Sequence, residues 1–396
     1  MKKVLRILNR FNIGGPTHNA TYLTKYLHPE FQTKLIAGKK LDSEESSEYM
    51  LKDYEINFEI VEDMSRSINL IKDLKSFFKI KKIIKEFKPD IVHTHASKSG
   101  ALGRLAAITS GVPIIVHTFH GHVFHSYFGR LKTKFYIFLE RYLAKKSSAI
   151  IAISNLQRKE LVNEFKICSK NQIHTIPLGF DLEKFQKQDF LKRNEFRDEF
   201  NLNKNDIAIG IIGRLTPIKN HSFFLRSIKI LLEDSSRKFK VFIVGDGEDR
   251  LALESLCTQL DLRFNAEGVE DPIIYFTSWR KDIDRVYAGI DIVALTSKNE
   301  GTPVTLIEAQ ASNKPIVSTD VGGVLDVVKN NITAFVSDKY DYNVFSNNLR
   351  KLVENDSLRV KMGSAGYSHV SELFSYHRLV KDVRKLYKNL LNEKNI

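Results

Sequence analysis

Glu300 and Glu308 stand eight positions apart in the run Thr296-Ser-Lys-Asn-Glu300-Gly301-Thr302-Pro303-Val304-Thr-Leu-Ile-Glu308-Ala. The run begins where an apolar strand ends and passes into a helix. Thr302 fits an N-cap and Pro303 the first helical position, where the N–H that proline lacks would have no partner anyway. The N–H groups of Val304 and Thr305 then lie at a positive helix end, a place that holds anions or oxygen-rich ligands. Gly301 lets such a ligand come close to the backbone. Glu300 precedes the turn, and Glu308 follows roughly one and a half turns into the helix. Two carboxylates so placed can grip the two ends of an extended polar ligand. The plainer reading is a capped strand-to-helix unit with solvated carboxylates.

A second constellation is cationic. The strand Ile207–Ile212 ends at Gly213, followed by Arg214 and, near the next helix N-terminus, Lys219. Two cations beside a helix end stabilise negative charge on a departing group; otherwise they are exposed cations near a turn. Gly14-Gly15 follows the first strand and offers either flexible backbone beside phosphate or an ordinary turn. Lys98, Gly100 and Arg104 follow another strand end and could meet an anionic partner. His93, His95, His117, His120, His122 and His125 suggest a metal cluster, but no helical His-Glu-x-x-His spacing and few carboxylates accompany them. Asp282-Ile-Asp284 reads as helix capping rather than metal binding. Gly245-Asp-Gly247 misses the dinucleotide fingerprint, because Arg250 stands where the third glycine belongs.

Alternating strands and helices must position these residues. Apolar runs at Val4–Leu8, Thr33–Ala37, Ile91–His95, Pro113–Phe119, Ala149–Ile153 and Gln172–Ile176 alternate with amphipathic segments, which predicts β-α-β crossovers and a parallel sheet. The pattern breaks in a polar stretch and resumes at Ile207–Ile212, Lys240–Val244, Ile273–Phe276, Asp291–Leu295, Pro315–Ser318 and Ala334–Val336. The expected architecture is α/β: two doubly wound domains, residues 1–180 and 206–376, joined by a linker over 181–205. A last amphipathic helix from 377 to 396 is expected to pack back on the first domain. A cleft between two such domains is the default ligand site.

The 396 residues are enough for two or three domains, each with its own core. No apolar stretch is long enough to span a membrane, the first residues read as a strand rather than a secretory leader, and Cys168 and Cys257 form no disulfide framework. A soluble, cytoplasmic protein is expected. The net charge of +14 concentrates in the front half, in the segments around Lys72–Lys88 and Arg130–Lys146. These are core-packed helices with solvated basic faces, or a surface for anionic lipid headgroups or an anionic acceptor. No nucleic-acid-binding pattern accompanies the charge.

The Glu300–Glu308 run resembles the Glu-x7-Glu signature of retaining, GT-B-fold glycosyltransferases of family 4 (group 1). Further segments match in the same order: Gly14-Gly15, His93-Thr94-His95, His117-Thr-Phe-His120-Gly121, Ile176-Pro-Leu-Gly-Phe-Asp181, Gly213-Arg214-Leu-Thr-Pro-Ile-Lys219, Val244-Gly-Asp-Gly247, Trp279-Arg-Lys-Asp282 and Asp320-Val-Gly322-Gly323. The resemblance implies two Rossmann-like domains facing across a cleft, with the nucleotide-sugar donor mostly on the second. It gives the donor diphosphate to Arg214 and Lys219, ribose hydroxyls to Glu308, and orientation of the donor sugar to Glu300. Backbone of Gly301, Thr302, Pro303 and Val304 would touch sugar and diphosphate, and His120 would reach the donor sugar. It further implies a hexosyl- or N-acetylhexosaminyltransferase that needs no cofactor and no metal, uses a donor such as a UDP-sugar, and serves bacterial surface polysaccharide or lipopolysaccharide assembly. The acceptor would be a glycan or lipid-linked hydroxyl, with peripheral contact at the inner membrane face. Alternatives are an epimerase or phosphorylase on the same scaffold, or a non-catalytic nucleotide-sugar-binding subunit.

Overall fold

The computed structural model describes residues 1–11, 15–39, 46–65, 69–121, 129–187 and 189–396. Runs such as Ile114–Phe119 and Ile207–Ile212 are buried along their whole length. A strand apolar on both faces needs helices on both sides, and parallel sheets provide that. The chain divides into two units, Met1–Phe180 with Phe374–Ile396, and Asp181–Leu373.

The first unit carries seven strands: β1 (Lys2–Arg10), β2 (Phe31–Gly38), β3 (Phe58–Val61), β4 (Ile91–His95), β5 (Ile114–Phe119), β6 (Ala149–Ala152) and β7 (Ile173–Thr175). They run parallel in the order β3-β2-β1-β4-β5-β6-β7. β3 was not foreseen; it is short and interrupted by Glu59, which pairs with Lys34 and Lys79 at 2.9 Å each. One helical layer contributes Ile80, Ile83 and Ile84 of the helix Leu70–Phe87 against Leu5, Ile7 and Val92. The other face is closed by the C-terminal helix Tyr376–Glu393, whose Leu379, Val383, Leu386, Tyr387 and Leu390 pack against Val4, Ile91 and Val116. Ser375 caps that helix by accepting from the Arg378 N–H at 3.3 Å.

The second unit has six parallel strands: β8 (Ile207–Ile212), β9 (Phe239–Val244), β10 (Ile274–Ser278), β11 (Ile292–Leu295), β12 (Ile316–Thr319) and β13 (Ala334–Ser337), in the order β10-β9-β8-β11-β12-β13. Its core joins Ile207, Ile209 and Ile211 to Phe224, Ile228 and Phe345 from flanking helices.

The expected linker over 181–205 is not a linker. Its residues include a helix, Asp189–Glu199, inside the second unit. Seven of the eleven residues are charged, so the segment reads as solvated. The charges are instead partnered: Arg193 Nη2 donates to Asp291 at 2.7 Å, Lys192 pairs with Asp284 at 2.8 Å, and Arg280 and Arg285 bind Glu199. Phe196 is fully buried, with its ring lying against Gly289, where any Cβ would stand 2.1 Å from it. Among the described residues, no helix is long and apolar enough to cross a membrane.

Candidate functional site

β8 and β11 lie side by side, with Ile209 opposite Ile292 and Ile211 opposite Ala294. The chain leaves β8 towards β9 and leaves β11 towards β12, on opposite sides. The order of the sheet therefore reverses between them, and the loops past their C-terminal ends form the crevice where such sheets bind ligands. Arg214 and Lys219 stand in one of these loops and Glu300 in the other.

The two loops are bonded together. The Lys298 N–H donates to the Ile218 carbonyl at 2.8 Å, and the Thr296 hydroxyl lies 3.1 Å from the Lys219 carbonyl. The stem of Lys219 passes over Gly213, and its Nζ lies 2.5 Å from Glu300 Oε1. Ser297 donates to the same oxygen at 2.6 Å. Arg214 is exposed and makes no ion pair or hydrogen bond with any described residue. A third loop supports the second: Gly322, at φ +51°, lies where a Cβ would fall 1.9 Å from the Glu300 carbonyl, and the Gly323 N–H donates to that oxygen at 3.1 Å. Gly245 and Gly247 serve likewise, letting the loop after β9 press on Gly213 and Leu215. This close packing, rather than dinucleotide binding, explains that glycine pair.

The helix after β11 spans Val304–Ala311 and its N-cap is Pro303, not Thr302. The helix starts one residue later than expected, and no side chain caps it. Its first N–H groups are therefore left without a side-chain acceptor, and the buried Thr302 Oγ1 is also without a partner. Gly301 is exposed, and nothing lies within 4 Å of the position a Cβ would take. Packing does not require a glycine there. Glu308, in the second turn, receives the Tyr287 hydroxyl at 3.2 Å, and that hydroxyl also reaches the Thr305 carbonyl at 3.0 Å. Burial raises the Glu308 carboxyl above its ordinary value, opposed by the Lys184 charge and the Tyr287 hydrogen bond. The ring of Phe185 stacks edge-on against Tyr287 at 5.6 Å, and Lys184 Nζ sits 4.7 Å over the Phe185 ring. Sequence reasoning missed Tyr287 and Lys184. A tyrosine on an otherwise apolar helix face was the available sign, since its hydroxyl must find a partner.

Asp282 occupies the N-cap of the helix Ile283–Gly289 without capping it; its carboxylate holds Arg280 at 2.7 Å and Arg285 at 3.4 Å. Asp284 is the partner of Lys192. Asp284 thus ties its helix to the helix Asp189–Glu199, while Asp282 holds arginines of its own loop and helix, which corrects the reading of the pair as caps.

In the first unit, Gly14 lies outside the described residues, as do His122 and His125. Gly15 opens the helix Gly15–Tyr26, and a Cβ there would be 3.1 Å from Leu178. The acceptor-side residues read from sequence prove to be built into the fold. Arg104 is fully buried, with Nη2 2.7 Å from Glu140 and Nε donating to the Gly100 carbonyl at 2.9 Å. Gly100 leaves room for His117, whose ring would be 2.5 Å from an added Cβ. Lys98 pairs with Asp73 at 2.5 Å. Their helix presses them inward, and none of them presents a free cation to an acceptor. His120 follows β5; its Nε2 is 2.9 Å from His95 Nδ1, and burial lowers its pKa to about 4.

Residues 192–369 match the family described as Glycosyl transferases group 1, and residues 13–184 match Glycosyltransferase Family 4. The chain is 31% identical, over 84% of each sequence, to the Escherichia coli UDP-Gal:alpha-D-GlcNAc-diphosphoundecaprenol alpha-1,3-galactosyltransferase. It is 28% identical to the capsular polysaccharide biosynthesis glycosyltransferase CapM of Staphylococcus aureus, over 87% of this chain and 88% of that one. Anabaena HepE, solved in complex with UDP, superposes with a TM-score of 0.82 at 18% identity over 98% of this chain and all of that one. With a switch-point site flanked by paired Lys219 and Glu300 in one doubly wound unit of two, the chain belongs to the family 4, group 1 glycosyltransferases of GT-B fold.

Proposed function

We propose that the protein transfers a sugar from a nucleoside diphosphate donor, a UDP-sugar, to a hydroxyl of a glycan or lipid-linked acceptor, with the anomeric configuration retained. The observation that carries this reading is the pairing of Lys219 with Glu300 across two loops that meet, with Arg214 in the first loop and, in the second, a glycine that packing does not require and a helix N-terminus that no side chain caps. Arg214 and Lys219 neutralise the diphosphate, and the helix N–H groups add to that field. When phosphate arrives, Lys219 exchanges part of its bond to Glu300 for the leaving group, which frees the carboxylate to orient sugar hydroxyls. Glu308, steadied by Tyr287, accepts from ribose hydroxyls. His120 gives a hydrogen bond to the transferred sugar. No divalent metal or other cofactor is needed, because fixed cations do the electrostatic work.

Front-face substitution fits this site: the departing phosphate helps take the acceptor proton while Glu300 positions the sugar. The relatives named for UDP-galactose and capsular polysaccharide support a setting in bacterial surface glycan assembly, and the inner face of the cytoplasmic membrane is the place this proposal gives it. The first unit also offers a surface for anionic lipid. The helix Arg130–Lys145 exposes Leu131, Phe135, Phe138 and Tyr142 on one stripe among Lys132, Lys134, Arg141 and Lys145. Apolar side chains set in a basic face are what an interfacial helix presents. The test of mechanism is NMR of the product made from an α-linked sugar donor. An α-linkage is expected, and a β-linkage would overturn the retaining reading.

A further inference from the structure

Arg6 lies on β1 and is entirely buried, yet among the described residues it has no ion-pair partner. A buried guanidinium without a carboxylate is costly unless other acceptors surround it. Its acceptors are unusual. Nη1 lies 3.0 Å from His93 Nδ1, 3.4 Å from His95 Nε2 and 3.5 Å from the Tyr387 hydroxyl of the C-terminal helix. A guanidinium only donates and keeps its charge in proteins. Each ring nitrogen facing it must therefore present a lone pair.

The consequence runs along β4 and the end of β5, in the middle of the sheet. His93, His95 and His117 are all held well below their usual pKa, and His120 falls to about 4, in each case chiefly by burial. The charges that act on these rings come from Arg6, Arg104 and the other histidines, and none from an acid. Near pH 7 every ring is neutral and carries one proton, which must choose its nitrogen. His93 accepts at Nδ1, so its Nε2–H donates to Thr118 Oγ1 at 2.7 Å. His95 accepts at Nε2, so its proton sits on Nδ1, 2.9 Å from His120 Nε2. His120 must then accept at Nε2 and carry its own proton on Nδ1. That Nδ1 is buried and has no partner. A cavity of about 10 Å³, room for roughly one water, adjoins the cluster and is lined by His93, His95, Thr118 and His120.

We propose that Arg6 is a positioning residue for His120: acting through His95, it fixes His120 as the Nδ1–H tautomer, a neutral hydrogen-bond donor and not a general base. Tyr387, 2.6 Å from His93 Nδ1, holds the start of this relay and so ties it to the C-terminal helix. The proposal rests on the reading that His120 serves the transferred sugar, and it makes that service donation from Nδ1, which is buried here and is uncovered when the sugar binds.

The experiment is long-range proton–nitrogen correlation NMR on protein labelled with nitrogen-15 in histidine, with His120→Asn used to assign the His120 signal. It reads the tautomer without reference to turnover. The expected wild-type result at pH 7 is a protonated Nδ1 and a bare Nε2 on His120. A protonated Nε2 overturns the proposal outright, even if no variant folds. In Arg6→Met, His120 should become a mixture of tautomers, and Arg6→Lys should recover much of the wild-type pattern. An unchanged tautomer in Arg6→Met also overturns it. In kinetics, Arg6→Met should lower kcat about tenfold or more with donor KM changed less than about threefold, the pattern of a contact made in the transition state. If the tautomer shifts and kcat does not, the relay stands as structure while the role given to His120 fails.

Discussion

Lys219 and Glu300 hold each other 2.5 Å apart. Each therefore keeps the other in place and pays no search entropy when substrate arrives. Lys219→Ala should lower kcat by about 10²–10³, the usual loss for one group that stabilises developing charge, with a smaller change in donor KM. Steady-state kinetics with the accepted donor checks it. Glu308 shows a different balance. Its carboxyl is raised by burial, so the folded state holds that proton more tightly than the unfolded chain does. Below the ordinary carboxyl value there is no penalty. As pH rises through the raised folded value, wild-type stability falls. Glu308→Gln should therefore melt higher than wild type at pH 7, with the gain fading on acidification towards pH 4.5, while binding donor more weakly. Melting curves against pH read this directly. At this scale the places of Arg214, Lys219 and Glu300 in loops past strand ends, and of Glu308 in the helix that follows, were legible in the sequence, and their donor roles are what is proposed; charged groups just past strand ends show few local partners. Arg104 and Lys98 were misread for the same reason: their partners, Glu140 and Asp73, lie 36 and 25 residues away in sequence, beyond any local pattern. Tyr287 went unseen because its role is to a neighbour across the fold.

Strands and long helices declared themselves through apolar runs, and β4 and β8 fall where periodicity put them. The helix Asp189–Glu199 did not, since its stability comes from ion pairs and one aromatic anchor rather than from an apolar stripe. Gly289→Ala tests that anchor: the added methyl would collide with Phe196, and overpacking of this kind costs about 1–3 kcal/mol. A lower midpoint in urea with an unchanged slope is the expected result. In the first unit, Arg104→Met leaves Glu140 buried without its partner, which should destabilise by about 3–5 kcal/mol. Adding Glu140→Leu should restore much of the loss, whereas an acceptor-binding role for Arg104 would instead show as lost activity at unchanged stability.

Over the whole chain, the second unit is a continuous segment, whereas the first is completed only by the last helix, which returns to cover its sheet. Removing residues 374–396 would uncover Val4, Ile91 and Val116, so the truncated chain should aggregate rather than fold. Docking to lipid belongs to this scale too. Wild type should sediment with vesicles containing anionic lipid and not with neutral ones, and Phe135→Glu with Phe138→Glu should abolish it without changing the melting point; equal sedimentation of the double variant would remove that surface from the account. The central claim is that one nucleoside diphosphate is held by acidic and basic anchors at the switch point of the second sheet. Isothermal titration against a panel of nucleoside diphosphates tests it most directly. Wild type should bind one of them, UDP foremost, and Glu308→Ala should weaken that binding by about 1–3 kcal/mol, with Arg214→Ala weaker than wild type as well. Binding of no nucleoside diphosphate by wild type, or equal binding by wild type and both variants, would contradict it.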